Sequence, residues 1–543
     1  MDIRKIEESF VPTDDGKCAV SRGGMVSTAF PDATNAGVEM LRLEGNAVDA
    51  ACAAALALGV CEPQASGIGG QSTAILHLRG STIAVDGSSR APSLAHLDHF
   101  VKGERTTGYR AATVPSTVAV LGHLNFHYGK LDWSTVLQPA IRIAEEGYRI
   151  TKLQSRLQER EKERFLNVAS QSGAAYFLKH GTVPYREGDL FVQNDLAHLL
   201  KRLAGKGPRA FYTGDVAAQI DEDMRKNDGF LRAEDLALIP WPIERKPLKR
   251  RYRKVVIYTC PPPAAGRTLL LTLMMLNNLP SKFIKSRSPE SCHFIAETFR
   301  KAFLQRKQRP YDPNYYPQVT EKEMLSRRFA KSLSESIRDV IDTDIPLVNP
   351  FEENGETTHL SVMDSEGNAA GITQSIERVY GSKAAAKELG FLYNNYMVDF
   401  EIKEPSHPYY LRPNSIPWTT VAPIIAFYKK KPWIVAGSPG SERIYSTISQ
   451  FLINMIDRGY AMSDAMLDPR LHCSTNGTIH VEAERFDPVI IKYLDEIGYT
   501  IEKREAYSFY LGAVHAVLKC KTSEGFQAVA ETRRDGTSAG VEL

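Results

Sequence analysis

The sequence predicts a mixed fold, α/β or α+β, on three observations: an all-apolar helical run, two pairs of short strands joined by tight turns, and long segments at helical spacing between them. The apolar run is AACAAALALGV at 50–60. It is too short to span a bilayer and reads as a buried helix. Small, apolar and polar residues recur at helical spacing over 32–60, so two helices meeting at Gly45-Asn46 are expected, with Asp49 near the start of the second, where it complements the helix dipole. After the turn Ser66-Gly67-Ile68-Gly69-Gly70, STAILHL (72–78) and STIAVDG (81–87) read as strands joined at Arg79-Gly80. Residues 113–235 read as largely helical, broken at Pro115, Gly147 and Gly181. KVVIYT (254–259) reads as a strand, and a long helical stretch is expected from Leu269 to Gln308. Residues 338–356 lose periodicity and read as an exposed, mobile segment. THLSVMD (358–364) and GNAAGITQSI (367–376) then form a second strand pair about Ser365-Glu366-Gly367.

Composition narrows the function classes. The 543 residues are 43% hydrophobic and 24% charged, with a net charge of +3 and a pI near 8.3. That balance is too mild for a nucleic-acid or membrane-surface partner. The most basic stretch, RKPLKRRYRK (245–254), reads as a solvated strand edge guarded by Lys and Arg. Length alone allows about three to four domains, or one large layered unit. The seven cysteines are dispersed, without CxxC or metal spacing, and Cys52 and Cys61 read as core residues. With a charged start, MDIRKIEESFVPTDDGK, they give cytoplasmic localisation as the expectation. His96 and His99 lack a third ligand, so no metal and no cofactor is expected.

Nine ordered blocks carry a family resemblance. They are 23–70, RYRKVVIYTCPPPAAG (251–266), HFIAETFRKAF (293–303), TTHLSVMDSEGNAAGITQSI (357–376), YNNYMVDF (393–400), TTVAPIIA (419–426), GSPGSERI (437–444), DPRLH (468–472) and RRDGTSAG (533–540). Together they resemble the γ-glutamyltranspeptidase family. The resemblance implies an α+β fold, the four-layer αββα sandwich of N-terminal-nucleophile hydrolases. It also implies a precursor that cuts itself between Glu356 and Thr357, so that 1–356 and 357–543 become the large and small subunits of one intertwined domain. A homodimer of that pair stays open.

The chemistry explains the cut. A threonine hydroxyl needs a neighbouring base, and a free N-terminal threonine carries one in its own α-amine. In the uncut chain that nitrogen is an amide without basicity. By resemblance Thr357 is the nucleophile, with Thr358 either assisting processing or simply packing. Thr373 and Ser375 match a hydroxyl pair beside the nucleophile. The N–H groups of Gly440 and Ser441 match the oxyanion donors. Asp399 matches the acid that meets a substrate α-ammonium, and Thr419 and Thr420 match a hydroxyl pair on its carboxylate.

Three positions depart from the family pattern. Ser88 stands where the family has a carboxylate-binding arginine, Glu377 stands for an Asn, and Tyr396 for a Gln. Strand alternation would put Arg90 on the same side as position 88, as a substitute clamp. Only 19 residues separate Asp399 from Thr419, which predicts an open pocket favouring hydrolysis over transfer. The leading function is a γ-glutamyl hydrolase or transferase acting on glutathione-like small-molecule amides. The second is an amidohydrolase of glutaryl, poly-γ-glutamate or oxamate type. The third is an inactive homologue acting as a binding protein.

Overall fold

The computed structural model describes all residues except 102, 239–241, 309–320, 342–354 and 543, together with the side chains of 307–308 and 321–322. Most of the aperiodic segment 338–356 therefore lies outside the described residues.

Fourteen strands build two seven-stranded sheets. They are β1 (Cys18–Ser21), β2 (Gly24–Thr28), β3 (Gln71–Leu78), β4 (Ser81–Gly87), β5 (Ile243–Arg245), β6 (Leu248–Tyr252), β7 (Val255–Thr259), β8 (Gly355–Asp364), β9 (Ala369–Arg378), β10 (Ile424–Tyr428), β11 (Lys431–Gly437), β12 (His515–Lys519), β13 (Phe526–Ala530) and β14 (Thr537–Val541). One sheet runs β1-β13-β12-β11-β10-β7-β6, the other β14-β2-β8-β9-β3-β4-β5. Each takes strands from both sides of position 357. The turns follow from their residues. Arg79 and Gly80 both have positive φ, as a two-residue hairpin requires, and Gly367 at φ 86° closes the β8–β9 turn. The basic stretch falls on β5 and β6, the outer edge strands of the two sheets.

Strand alternation sorts the core into layers. Met25, Ile75, Met363, Ile425, Val435 and Val517 pack between the sheets. Leu360, Val362, Ala370 and Ile372 point the other way, onto a layer containing α1 (Pro31–Arg42), α2 (Ala47–Cys61), α3 (Thr117–Tyr128) and α4 (Trp133–Glu146). Ile434, Ala436 and Leu518 face a second layer of α5 (Gly266–Asn277), α6 (Pro289–Gln308) and α7 (Ile444–Ile453). The result is the four-layer αββα sandwich. Helix α2 is buried all round, as an apolar run without a polar face must be, and its start is fixed by a reciprocal cap between Asn46 and Asp49. The long helix expected over 269–308 is instead three. Pro280 and Pro289 interrupt it, because proline has no N–H to continue the ladder.

Candidate active site

Alternation along β8 settles which threonine faces which layer. His359, Ser361 and Met363 point between the sheets, while Thr358, Leu360 and Val362 point to the α1–α4 layer. Thr358 lies beside Glu62, whose carboxyl is pushed up to about 8 by burial.

The β8–β9 ladder is irregular at Thr357. Glu356 pairs with Glu377 and Thr358 with Gln374, so two residues of β9, Ser375 and Ile376, oppose Thr357 alone. This bulge frees the Glu356–Thr357 peptide from ordinary pairing. The Ser375 hydroxyl donates to the Glu356 carbonyl at 2.6 Å and accepts the Glu377 N–H at 2.7 Å. The Thr357 N–H donates to Oε1 of Glu356 at 3.2 Å. Arg534 forms an ion pair with the same carboxylate oxygen, and its guanidinium lies 3.7 Å from the Phe509 ring centroid.

Thr373 sits one step deeper than Ser375 on the same face. Its hydroxyl is engaged by Nδ1 of His359 at 2.9 Å, and Nε2 of that ring meets Ser361 at 3.0 Å. Burial holds His359 well below the usual imidazole range, so the ring is neutral. Gly437 must lack a side chain there, since a Cβ would come within 2.4 Å of the His359 ring. The hydrogen-bond partner of Thr373 is therefore His359, while that of Ser375 is the Glu356 carbonyl.

The turn after β11 carries Gly440 at φ 124° and Ser441 at φ 50°. The first value suits glycine alone. The second is left-handed and is tolerated by serine at modest cost. Neither N–H has a hydrogen-bond partner among the described residues. The Ser441 side chain packs on Gly355, where a Cβ would meet its Oγ at 2.8 Å and Oε1 of Glu377 at 3.3 Å. The uncut chain therefore runs close against Ser441 and Glu377 just before the bulge.

These two residues also line a cavity of about 50 Å³ with Asp399, Thr419, Thr420, Arg306, Arg378 and Trp418. Glu377 and Asp399 face each other. Burial, and then the Glu377 carboxyl, push Asp399 well above the usual carboxylate range, and burial raises Glu377 as well. Such a pair shares one proton and is a ready partner for a cation. Glu377 holds φ 80°, a strained value for a non-glycine residue that its backbone bond to Ser375 helps to fix. Opposite stands Arg306, buried, donating to the carbonyls of Pro263 and Thr419 and stacked 4.8 Å over Trp418. Burial brings its guanidinium down to about 10, still protonated at neutral pH.

Two residues read as pocket groups do not line the cavity. Strand β4 ends at Gly87, so its alternation does not extend to Arg90, which forms an isolated bridge with Val114 and donates to the Asn414 carbonyl at 3.0 Å. Arg306 and Arg378, not Arg90, are the cations of the cavity wall. Tyr396 is buried behind the cavity, near Ser375, Gln71 and Glu377. The short connection from 400 to 418 folds back through Glu401 and Tyr410 and packs Phe400 and Leu411 on Ala91, Ala95 and Phe230. Sequence reasoning missed Arg306, Trp418, Glu62 and the role of Arg534. Glu62 and Arg534 fell in matched blocks, without an assignment.

The whole-chain pattern decides the family. The γ-glutamyltranspeptidase family pattern matches residues 33–541. The chain belongs to the γ-glutamyltranspeptidase family. It is an enzyme of that family. A glutathione hydrolase proenzyme of Escherichia coli (strain K12) is 31% identical over 545 residues, covering 96% of this chain and 92% of that protein. The glutathione hydrolase-like YwrD proenzyme of Bacillus subtilis (strain 168) is 30% identical, covering 97% of this chain and all of its own. The crystal structure of cephalosporin acylase from Bacillus halodurans superposes with a TM-score of 0.88 at 26% identity and 99% coverage of both chains. This γ-glutamyltranspeptidase-family chain is thus similar both to glutathione hydrolases and to an acylase.

Proposed function

We propose that this chain is a self-processing amidase that cleaves itself between Glu356 and Thr357. It then hydrolyses γ-glutamyl amides of glutathione type through an acyl-enzyme on Thr357. The observation that carries the reading is the grip on the Glu356–Thr357 peptide. A bulge takes it out of ladder pairing, and the Ser375 hydroxyl donates to its carbonyl oxygen. A donor at that oxygen stabilises the negative charge that develops when a hydroxyl adds to the carbon. Cleavage would let Gly355 leave its place against Ser441 and Glu377, opening the cavity to a substrate acyl group.

Each residue has a part in this account. Thr357 attacks, its freed α-amine takes the hydroxyl proton, and the Gly440 and Ser441 N–H groups receive the oxyanion. Asp399 and Glu377 meet the α-ammonium of the donor, and Thr419 and Thr420 offer hydroxyls to its carboxylate. The acidic pair favours a donor with an ammonium over a glutaryl donor that lacks one. The likeness to an acylase keeps a second reading, an amidohydrolase of other acyl preference.

Two tests belong here. Ser375→Ala removes the donor to the scissile carbonyl and should slow self-cleavage by at least about tenfold, as for a lost hydrogen bond of roughly 1.5 kcal/mol. A gel time course checks it, and an unchanged half-time would remove Ser375 from the processing step. The 400–418 connection contributes Trp418 to the cavity wall, but it is short, and water is expected to compete with an acceptor amine. Adding glycylglycine should therefore speed release from a γ-glutamyl anilide less than about twofold. A large acceleration would make the protein a transferase.

A further inference from the structure

We infer that the Glu356 side chain is the proton relay of the chain's own cleavage, and that Arg534 is the residue that positions it. This inference rests on the self-processing reading. It goes beyond it by naming the group that moves the proton.

The geometry is specific. At the bulge, Ser375 and Ile376 stand opposite Thr357, and the Thr357 N–H donates to Oε1 of Glu356, the residue just before it. The ionisable side chain that touches the scissile nitrogen therefore belongs to the residue on the other side of the scissile bond. Glu356 is 1% exposed and Arg534 4% exposed. Arg534 closes on the same oxygen while stacked on Phe509. A purely structural partner for one N–H has no need of charge. A neutral amide would satisfy it without the cost of burying an ion pair. Placing a carboxylate there, and an arginine to hold it, suits a group that must carry a proton.

The step balances with that group alone. The Thr357 hydroxyl oxygen bonds to the Glu356 carbonyl carbon, and the carbon–nitrogen bond between Glu356 and Thr357 breaks. The hydroxyl proton must finish on the departing nitrogen. The Glu356 carboxylate takes it from the hydroxyl and, already within 3.2 Å of the nitrogen, delivers it as that bond opens. Ser375 holds the carbonyl oxygen throughout. Water then hydrolyses the ester, restoring the Thr357 hydroxyl and leaving Glu356 with a free α-carboxylate. The relay works once, because the cut it assists makes Glu356 the end of the other subunit.

The test follows cleavage of freshly purified precursor by gel for wild type, Glu356→Gln, Glu356→Ala, Arg534→Lys and the double variant Glu356→Gln with Arg534→Gln. The Glu356→Gln half-time should lengthen about a hundredfold, the usual scale of general acid–base catalysis. The double variant should be equally slow. It carries no unpaired buried charge, so slow cleavage there reports chemistry and not misfolding. Added formate should partly restore Glu356→Ala, and Arg534→Lys should keep most of the wild-type rate. Cleavage of Glu356→Gln or of the double variant at the wild-type rate would overturn the relay. So would a slow Glu356→Ala that formate leaves unchanged. A wild-type precursor that stays whole would instead overturn the self-processing reading itself, and that control separates the two failures.

Discussion

Thr357→Ala should yield a single uncut chain of 60.4 kDa with no amidase activity. Both losses have one cause. In the proposed mechanism the same hydroxyl attacks the Glu356 carbonyl during processing and the substrate carbonyl afterwards. Alanine keeps the strand and its bulge, so the variant should fold with the wild-type melting temperature. Thr357→Ser retains a hydroxyl and should cut itself slowly, then show reduced activity. In the proposed matured protein the base is the Thr357 α-amine, a group with a pKa of about 7.7–8.0. Activity should therefore rise with pH as that amine loses its proton. A Thr357→Ala protein that cleaves or turns over substrate normally would move the nucleophile elsewhere.

Asp399→Asn should lower kcat/KM for a γ-glutamyl anilide by about tenfold to a hundredfold, the scale of a charged hydrogen bond of roughly 1.5–3 kcal/mol. It should leave a glutaryl anilide, which lacks the ammonium, unaffected. The contrast between the two donors is the informative quantity. Glu377 and Asp399 share a proton when no cation faces them, because two buried carboxylates side by side resist full ionisation. An ammonium would displace that proton, so KM for the γ-glutamyl donor should fall as the pH is raised from about 6 to 8. Loss of activity on both donors alike would mean that Asp399 shapes the pocket without contacting an amine.

Local punctuation made much of the fold legible. Gly45-Asn46 separates α1 from α2, and Arg79-Gly80 sets the β3–β4 turn, because those residues take conformations or caps that their neighbours do not. Where punctuation was passed over, at Pro280 and Pro289, one helix was expected in place of three. The hydroxyl residues of β8 and β9 were legible as a motif. Their division of labour was not, since Ser375 differs from Thr373 only in what the second sheet and the bulge bring near. Arg90 shows the limit of periodicity. Alternation predicts a direction only while the strand continues, and β4 stops at Gly87. Arg306 and Arg534 reach the site through tertiary packing from distant segments, and no spacing in the sequence reports such meetings.

The most direct test of the account is the intact mass of the purified protein, with N-terminal sequencing of the smaller fragment. The account predicts two chains, 1–356 and 357–543, the smaller beginning at Thr357. A fully active protein that remains one uncut chain, or a small chain that begins at another residue, would contradict it.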